Sequence, residues 1–456
     1  MLAALLVAEI PIFDLALRVV EKAHPGEQVE AYVTRSRTTE VAIHAGAVES
    51  LVVAEPAGVG VRVLLGDRQG FAWAGSLDPD IIDEALGAAR DNATFATPDD
   101  SLAFATLADG AGEVAELDLW RDDILTTATA DKVAYALAVE QATLGADPLV
   151  RAVESAHYGD SATEVAIVSS LGVQVAKRST GCSVSAHALA GQGGATRTGY
   201  GFSAGRAFAD LDLNVASADA AKRAVRLLGA KQPATTNLPV IFDPLVTRSL
   251  LALVGGALGG EAITKGRSMF VGREGETVGA PNLTLVDVPT DPAAFGASSH
   301  DSEGVPTRRV ELIKNGVLTG FLHNIVTGRR AGTATTGSAV RGYASTPGAG
   351  ARALCLTPGP NSPEEILVAA GEAFYVQSVS GIHSGTNTVS GDFSVGAEGL
   401  MVRNGEFAEP IREVTIASTL PRMLSEITAI GSDLTWFPGG AAGLTLLISE
   451  MTISGS

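Results

Sequence analysis

Between Gln28 and Trp73 the chain passes through five short β-prone runs, Gln28–Thr34, Thr39–His44, Leu51–Ala54, Gly58–Leu65 and Gly70–Trp73, separated by Gly, Pro and Asp turn residues. So close a succession predicts an antiparallel meander. A helix precedes it, because Ile12, Ala16, Val19 and Val20 recur at helical spacing until His24-Pro25-Gly26 disfavours continuation. Another follows, where Asp78-Pro79 offers an N-cap and a first-turn proline to a stripe of Ile81, Ile82, Ala85, Leu86 and Ala89. Helix, sheet and helix make one α+β unit ending near Asn92.

The same grammar recurs downstream. Ala93–Trp120 has weak periodicity and reads as a connector. Thr129–Leu144 is helical with Gly145 as its stop, and Val165–Ser169 is expected to pair with Val173–Arg178 across Ser170-Leu171-Gly172. Strands continue through Cys182–Ala190, and a helix over Asp219–Leu228, capped by Ser217 and stopped by Gly229, closes a second α+β unit. After a linker at Lys231–Thr236, strand Leu238–Phe242 leads into Asp243-Pro244 and a helix through Leu253. Asn315-Gly316 and Asn404-Gly405 signal tight hairpins, and Ser362-Pro363-Glu364-Glu365 opens a further helix. The predicted class is α+β: an N-terminal domain over 1–105 and a middle domain over 106–232, both with antiparallel sheets, and a large sheet-rich C-terminal domain over 233–456. No period of 20–50 residues repeats, which excludes a solenoid or propeller.

At 456 residues the chain exceeds what one hydrophobic core organises, in keeping with two or three domains. With 51 acidic against 32 basic side chains the net charge is −19, which argues against direct binding of nucleic acid or anionic lipid. Glu9 and Asp14 interrupt the one apolar candidate for a membrane span, and Met1–Ala8 is expected to lead into the first helix. Two cysteines, Cys182 and Cys355, make no disulfide framework or CxxC pair, so a cytoplasmic location is expected.

Seven scattered histidines include no pair at HExxH or HExxxH spacing. Gly201-Phe202-Ser203-Ala204-Gly205 matches the GxSxG nucleophile pattern, but an elbow needs a buried strand running into the serine and a helix behind it. Arg197-Thr198-Gly199-Tyr200 does not supply the first, so a glycine-rich turn is expected. Gly255-Gly256-Ala257-Leu258-Gly259-Gly260 follows a helix and lacks the GK[ST] of a phosphate loop, and is expected to serve close packing or a left-handed helix cap. The segment from His383 to Asp392 gathers hydrogen-bonding groups in a turn-rich loop, either a cleft lining or a solvated surface.

Lys265-Gly266-Arg267-Ser268, Asp301-Ser302-Glu303-Gly304-Val305-Pro306, Leu312–Gly320 and Ser390-Gly391-Asp392-Phe393-Ser394 occur in that order. Together they resemble the TldD/PmbA metalloprotease family, from about Gln28 to Ile453. His383, the Ser390–Ser394 run and Val402-Arg403-Asn404-Gly405 resemble its PmbA (TldE) branch. The resemblance implies that the HExxxH positions of the TldD branch fall on Leu251, Ala252 and Gly256, and that the loop holding a further cysteine ligand is shortened to Thr435–Gly443. Leucine, alanine and glycine supply neither an imidazole nor a carboxylate base.

The likeness therefore implies no catalytic residue and no cofactor bound by this chain, with zinc expected in a TldD-like partner. Lys265, Gly266, Arg267, Ser268, His383, Asn387, Gly391 and Asp392 remain as cleft-lining candidates. The expected function is a non-catalytic subunit of a heteromeric metallopeptidase that degrades or processes unfolded peptides. A homodimer, a self-sufficient hydrolase using Ser203, and a stand-alone peptide-binding homo-oligomer are the alternatives. Were a zinc held by this chain, His300, His323 and His383 would be its candidate ligands.

Overall fold

The computed structural model describes residues 11–455; the run Met1–Ala8 lies outside the described residues. The first segment holds α1 (Ile12–Glu21), β1 (Glu27–His44), β2 (Ala47–Ala54), β3 (Ala57–Leu65), β4 (Arg68–Ala74) and α2 (Pro79–Phe95). Asp78 caps α2 by accepting from the Asp80 N–H at 2.9 Å, ahead of the first-turn proline. The runs Gln28–Thr34 and Thr39–His44 are one continuous strand rather than two. Residues between them stay extended because a later strand pairs with them, Arg35 with Glu164 and Thr38 with Ser161.

The second segment holds α3 (Asp123–Thr126), α4 (Thr129–Gly145), β5 (Val150–Ser169), β6 (Gln174–Ala190), β7 (Arg197–Gly205) and α5 (Leu213–Val225). The expected hairpin across Ser170-Leu171-Gly172 is present, with Val168 opposite Gln174, and its strands run far past the expected ends. The helix expected over Asp219–Leu228 instead starts at Leu213. Asp212 is its cap, accepting from Asn214 N at 2.8 Å, while Ser217 is buried inside the helix and donates to the Val139 carbonyl of α4.

Strands of both segments build one seven-stranded antiparallel sheet in the order β4-β3-β1-β5-β6-β7, with β2 beside the end of β1. Val29, Ala31 and Val33 of β1 pack on α1 and α2, and further along Val41 and Ile43 join the core under α4 and α5. The alternate residue Tyr32 faces the other way, packing with Ile167, Val175, Val305 and Ile325. Both sheet faces are thus buried, one by helices and one by the C-terminal segment.

That segment starts with β8 (Thr236–Phe242), α6 (Pro244–Ala257) and α7 (Gly260–Thr264). Asp243 caps α6 through Leu245 N at 3.0 Å. Its six-stranded sheet runs Glu406–Thr419, Asp392–Arg403, Ala373–Ser380, β8, Leu446–Ser454, Ile427–Ile430, and an extra pairing between Glu406–Thr419 and Leu446–Ser454 closes it on itself. Asn315-Gly316 and Asn404-Gly405 form the expected two-residue hairpin turns, with φ of 49° and 81° in the first and 52° and 80° in the second. Among the described residues no helix is long and apolar enough to cross a membrane.

Buried charge ties this segment to the first sheet. Arg62 of β3 donates to Glu30 of β1 at 2.7 Å and to Glu303 at 3.3 Å, and Arg341 reaches Glu30 from the other side. Burial alone would raise the Glu30 carboxyl, but Arg341 and Arg62 outweigh it and hold it below the usual carboxylate range. Tyr343 completes the seam with its ring edge-on to Trp73 at 5.8 Å.

Candidate functional site

Helix α6 carries the three positions implied for HExxxH. Leu251 is 1% exposed and belongs to the main C-terminal core, whereas Ala252 and Gly256 lie on the solvent side. One turn before Ala252, on the same face, stands Arg248. Its Nη2 donates to the Pro438 carbonyl at 2.7 Å and its guanidinium lies over the Phe437 ring at 5.5 Å. The Thr435–Gly443 loop is therefore held against this face of α6 by a cation. Leucine, alanine and glycine offer zinc no ligand, and among the described residues no group of three His, Cys, Asp or Glu could hold a metal ion. The residues present do not fit zinc.

The glycines after α6 serve packing, and none of those from Gly255 to Gly260 has positive φ, so the left-handed cap is not used. An added Cβ on Gly260 would lie 2.4 Å from Thr327 Oγ1 and 2.7 Å from His323 Nδ1. Lys265, Gly266 and Arg267 follow α7 on the surface, while Ser268 is buried and donates to the Ala257 carbonyl at 2.6 Å. Met269 N then donates to the Thr388 carbonyl at 2.9 Å, which brings this segment against the His383–Asp392 loop. In that loop Asn387 Oδ1 accepts from Val389 N at 2.9 Å, and Gly391 turns the chain at φ 84°. His383, Asn387 and Asp392 are exposed.

Ser203 lies within β7, opposite Val184, and not in a turn. Its hydroxyl accepts from Asp212 N at 2.9 Å, and among the described residues no histidine nitrogen hydrogen-bonds it. The glycines around it let α5 settle on the strand, since an added Cβ on Gly201 would stand 2.0 Å from the Ala216 carbonyl oxygen. His323 is buried against Thr327, His300 is half-buried with Nδ1 3.1 Å from Ser299 Oγ, and His383 is exposed. Cys182 and Cys355 are free and buried, and burial pushes both thiols up to about 12.

Asp301-Ser302-Glu303-Gly304 proves to be a clamp. The Asp301 carboxylate accepts from the backbone of Glu303, Val305 and Ala339 at 2.8–3.0 Å, and Glu303 accepts from Ile325 N at 2.9 Å besides meeting Arg62. It supports one wall of a cavity of about 900 Å³ between the first sheet and the C-terminal segment, lined by Tyr32, Lys177, Ala297, Ser302, Arg341 and Arg352. A second hollow of about 350 Å³ shares Ser179 and Phe295 with it and ends at Pro438 and Gly439, the loop that Arg248 holds. The two hollows thus adjoin, one beside the buried charges and the other near α6. Nothing local in the sequence signals them, because their walls come from all three segments; Arg248 was not among the sequence candidates, and its one-turn spacing from Ala252 is the signal that could have found it.

Family models described as the PmbA/TldA metallopeptidase domain 1, central domain and C-terminal domain match residues 29–93, 122–228 and 235–455. Metalloprotease PmbA of Escherichia coli O157:H7 is 28% identical over 451 residues, covering 98% of this chain and 97% of that protein. A crystal structure from Thermotoga maritima, of a protein proposed to modulate a DNA gyrase, superposes with a TM-score of 0.89 at 25% identity over 97% of this chain and 99% of that one. TldE from Thermococcus kodakarensis shares the fold, with a TM-score of 0.85 at 22% identity over 97% and 99% of the two chains. Matching models along all three segments, and likeness over nearly the full length, place this chain in the PmbA/TldD metallopeptidase family.

Proposed function

We propose that this chain is a non-catalytic subunit of a peptidase, holding an extended peptide while a second, HExxxH-bearing chain supplies zinc and hydrolysis. The observation that carries the reading is the face of α6, where Leu251 is committed to the core and Arg248 bridges to the Pro438 loop. A guanidinium in that position repels a divalent cation, and the residues around it provide no base to activate water. The cleft that ends beside α6 suits an unfolded peptide better than a folded domain, because its walls come from the sheet and the C-terminal segment. We place the protein in the cytoplasm, where Cys182 and Cys355 stay reduced.

The test compares this chain alone, an HExxxH-bearing partner alone and their mixture on an unfolded peptide, with a chelator control. Hydrolysis is expected in the mixture and to disappear with chelator. Chelator-insensitive turnover by this chain alone would overturn the reading, and full activity of the partner alone would remove the role assigned here. Peptide binding by this chain without turnover in any mixture would favour the stand-alone homo-oligomer.

A further inference from the structure

The wide end of the cleft is unusually cationic for a chain with net charge −19. Lys177, Arg178, Arg341 and Arg352 all line it, and among the described residues the one carboxylate in its lining, Glu164, is held by Arg35 at 2.7 Å. Lys177 Nζ donates to Ser298 Oγ at 2.9 Å and to the His300 and Asp301 carbonyls at 2.7 and 3.3 Å, with the Asp301 carboxyl group nearby. Arg352 likewise spends Nη2 on Ser302 Oγ and the Ala339 carbonyl. Two buried donors have no partner: Nε of Arg352 and Nη1 of Arg341, whose side chain is 0% exposed. A buried guanidinium N–H left unmade is costly, so the positive charge beneath this lining is incompletely met. Beside them Ile12, Phe13, Leu117, Leu119 and Val340 give the cavity an apolar wall. The volume of about 900 Å³ far exceeds what an inorganic anion fills.

Resting on the reading that this chain binds peptide, we propose that this end of the cleft captures a peptide carboxylate, drawn by the positive charge of Lys177, Arg178 and Arg352 in its lining. The carboxylate is either the C-terminal α-carboxylate or an aspartate or glutamate side chain. In the first case the peptide is anchored by its C-terminus and its remaining length runs past Ser179 and Phe295 toward α6. Burial and the neighbouring Arg352 hold the Lys177 amine well below the usual lysine range, at about 7, and an incoming anion would draw a proton back onto it.

The test measures binding of three fluorescently labelled apolar hexapeptides to the full chain: one with a free C-terminal carboxylate, its C-terminal amide, and an amide containing one internal aspartate. The acid is expected to bind at least about tenfold more tightly than the plain amide, the range of a charge-assisted hydrogen bond. K177Q and R352Q, each checked for folding by circular dichroism and thermal melting, should reduce that preference to near unity. If the aspartate-containing amide matches the acid, the carboxylate site stands and a side chain is its source. Equal binding of acid and amide by the unmodified chain overturns the site and leaves the subunit reading standing, and this comparison needs no variant. A preference that survives in both folded variants also overturns it. Failure of all three peptides to bind overturns the site and the peptide-binding reading together.

Discussion

Arg341 Nη2 donates to Glu30 Oε1 across 311 positions of sequence, with both side chains at most 1% exposed. This pair, with Arg62 donating to both oxygens of the same carboxylate, is a buried polar link between the first sheet and the C-terminal segment. Removing the Glu30 charge leaves two guanidinium groups buried with one carboxylate fewer. Glu30→Gln is expected to lower unfolding stability by about 3 kcal/mol or more, read by urea titration. A change below roughly 0.5 kcal/mol would place the seam's stability in its apolar contacts instead.

Asp287 is 1% exposed and accepts from Arg352 N at 3.0 Å and Ala353 N at 2.6 Å. Burial outweighs these hydrogen bonds and pushes its carboxyl up to about 6. The folded chain therefore keeps this proton between the ordinary aspartate range and about 6 while the unfolded chain has lost it. Its contribution is present below about 3.8 and is lost as pH rises through about 6. Asp287→Asn keeps an acceptor and does not titrate, so its stability relative to the parent should rise between pH 4 and pH 7 by roughly 2–3 kcal/mol. Thermal melts across that range, with no divergence between the two curves, would refute the shift.

Gly201→Ala puts a methyl 2.0 Å from the Ala216 carbonyl oxygen, so α5 must lift off β7. A loss of about 1–3 kcal/mol is expected, whereas Ser203→Ala two residues on removes only an acceptor for Asp212 N and should leave peptidase activity of any mixture within a few-fold. A thousandfold loss in Ser203→Ala with the fold intact would restore the serine-hydrolase reading.

The purified, untagged chain is expected to hold no stoichiometric zinc by elemental analysis. Installing Leu251→His, Ala252→Glu and Gly256→His together should not create a metal site. The imidazole introduced by Leu251→His would be buried in the C-terminal core, Arg248 would still lie one turn away, and the Thr435–Gly443 loop brings no cysteine. One tightly held zinc in the parent chain would direct attention back to His300, His323 and His383.

What was legible in the sequence is what neighbours in sequence decide. Asp78-Pro79, Asp243-Pro244 and Ser362-Pro363 start helices because their caps act within three residues, and Asn315-Gly316 and Asn404-Gly405 turn the chain through their own φ angles. Local signals also compete: Asp212 and Ser217 both suit a cap, and the choice fell to Asp212 because packing of Ala216 and Ala220 under α4 and β7 extends the helix a turn earlier. The Lys265–Ser268 and His383–Asp392 segments could be picked out from their own residues, and the Met269 N–H to Thr388 carbonyl bond brings them together. The carboxylate cluster of Glu30, Glu303 and Asp301 and the cleft it supports could not, because no local pattern says that Arg62, Arg341 and Lys177 meet.

The single sheet shared by the first two segments has a consequence for synthesis. Strand β1 presents one edge to β5, from Glu30 opposite Ser169 to Ile43 opposite Ala156, and Val29 N donates to Ser170 Oγ 141 positions later. While the chain emerges from a ribosome at about 5–20 residues per second, that edge waits on the order of 10 s with its N–H and C=O groups unmet. During that interval the nascent first segment is an open template for another strand, and β2, exposed along its length with Leu51, Val52 and Val53, lengthens the sticky surface. The nascent chain is most vulnerable before Ser169 emerges, and a pause in translation there would be where misassembly with neighbouring copies begins.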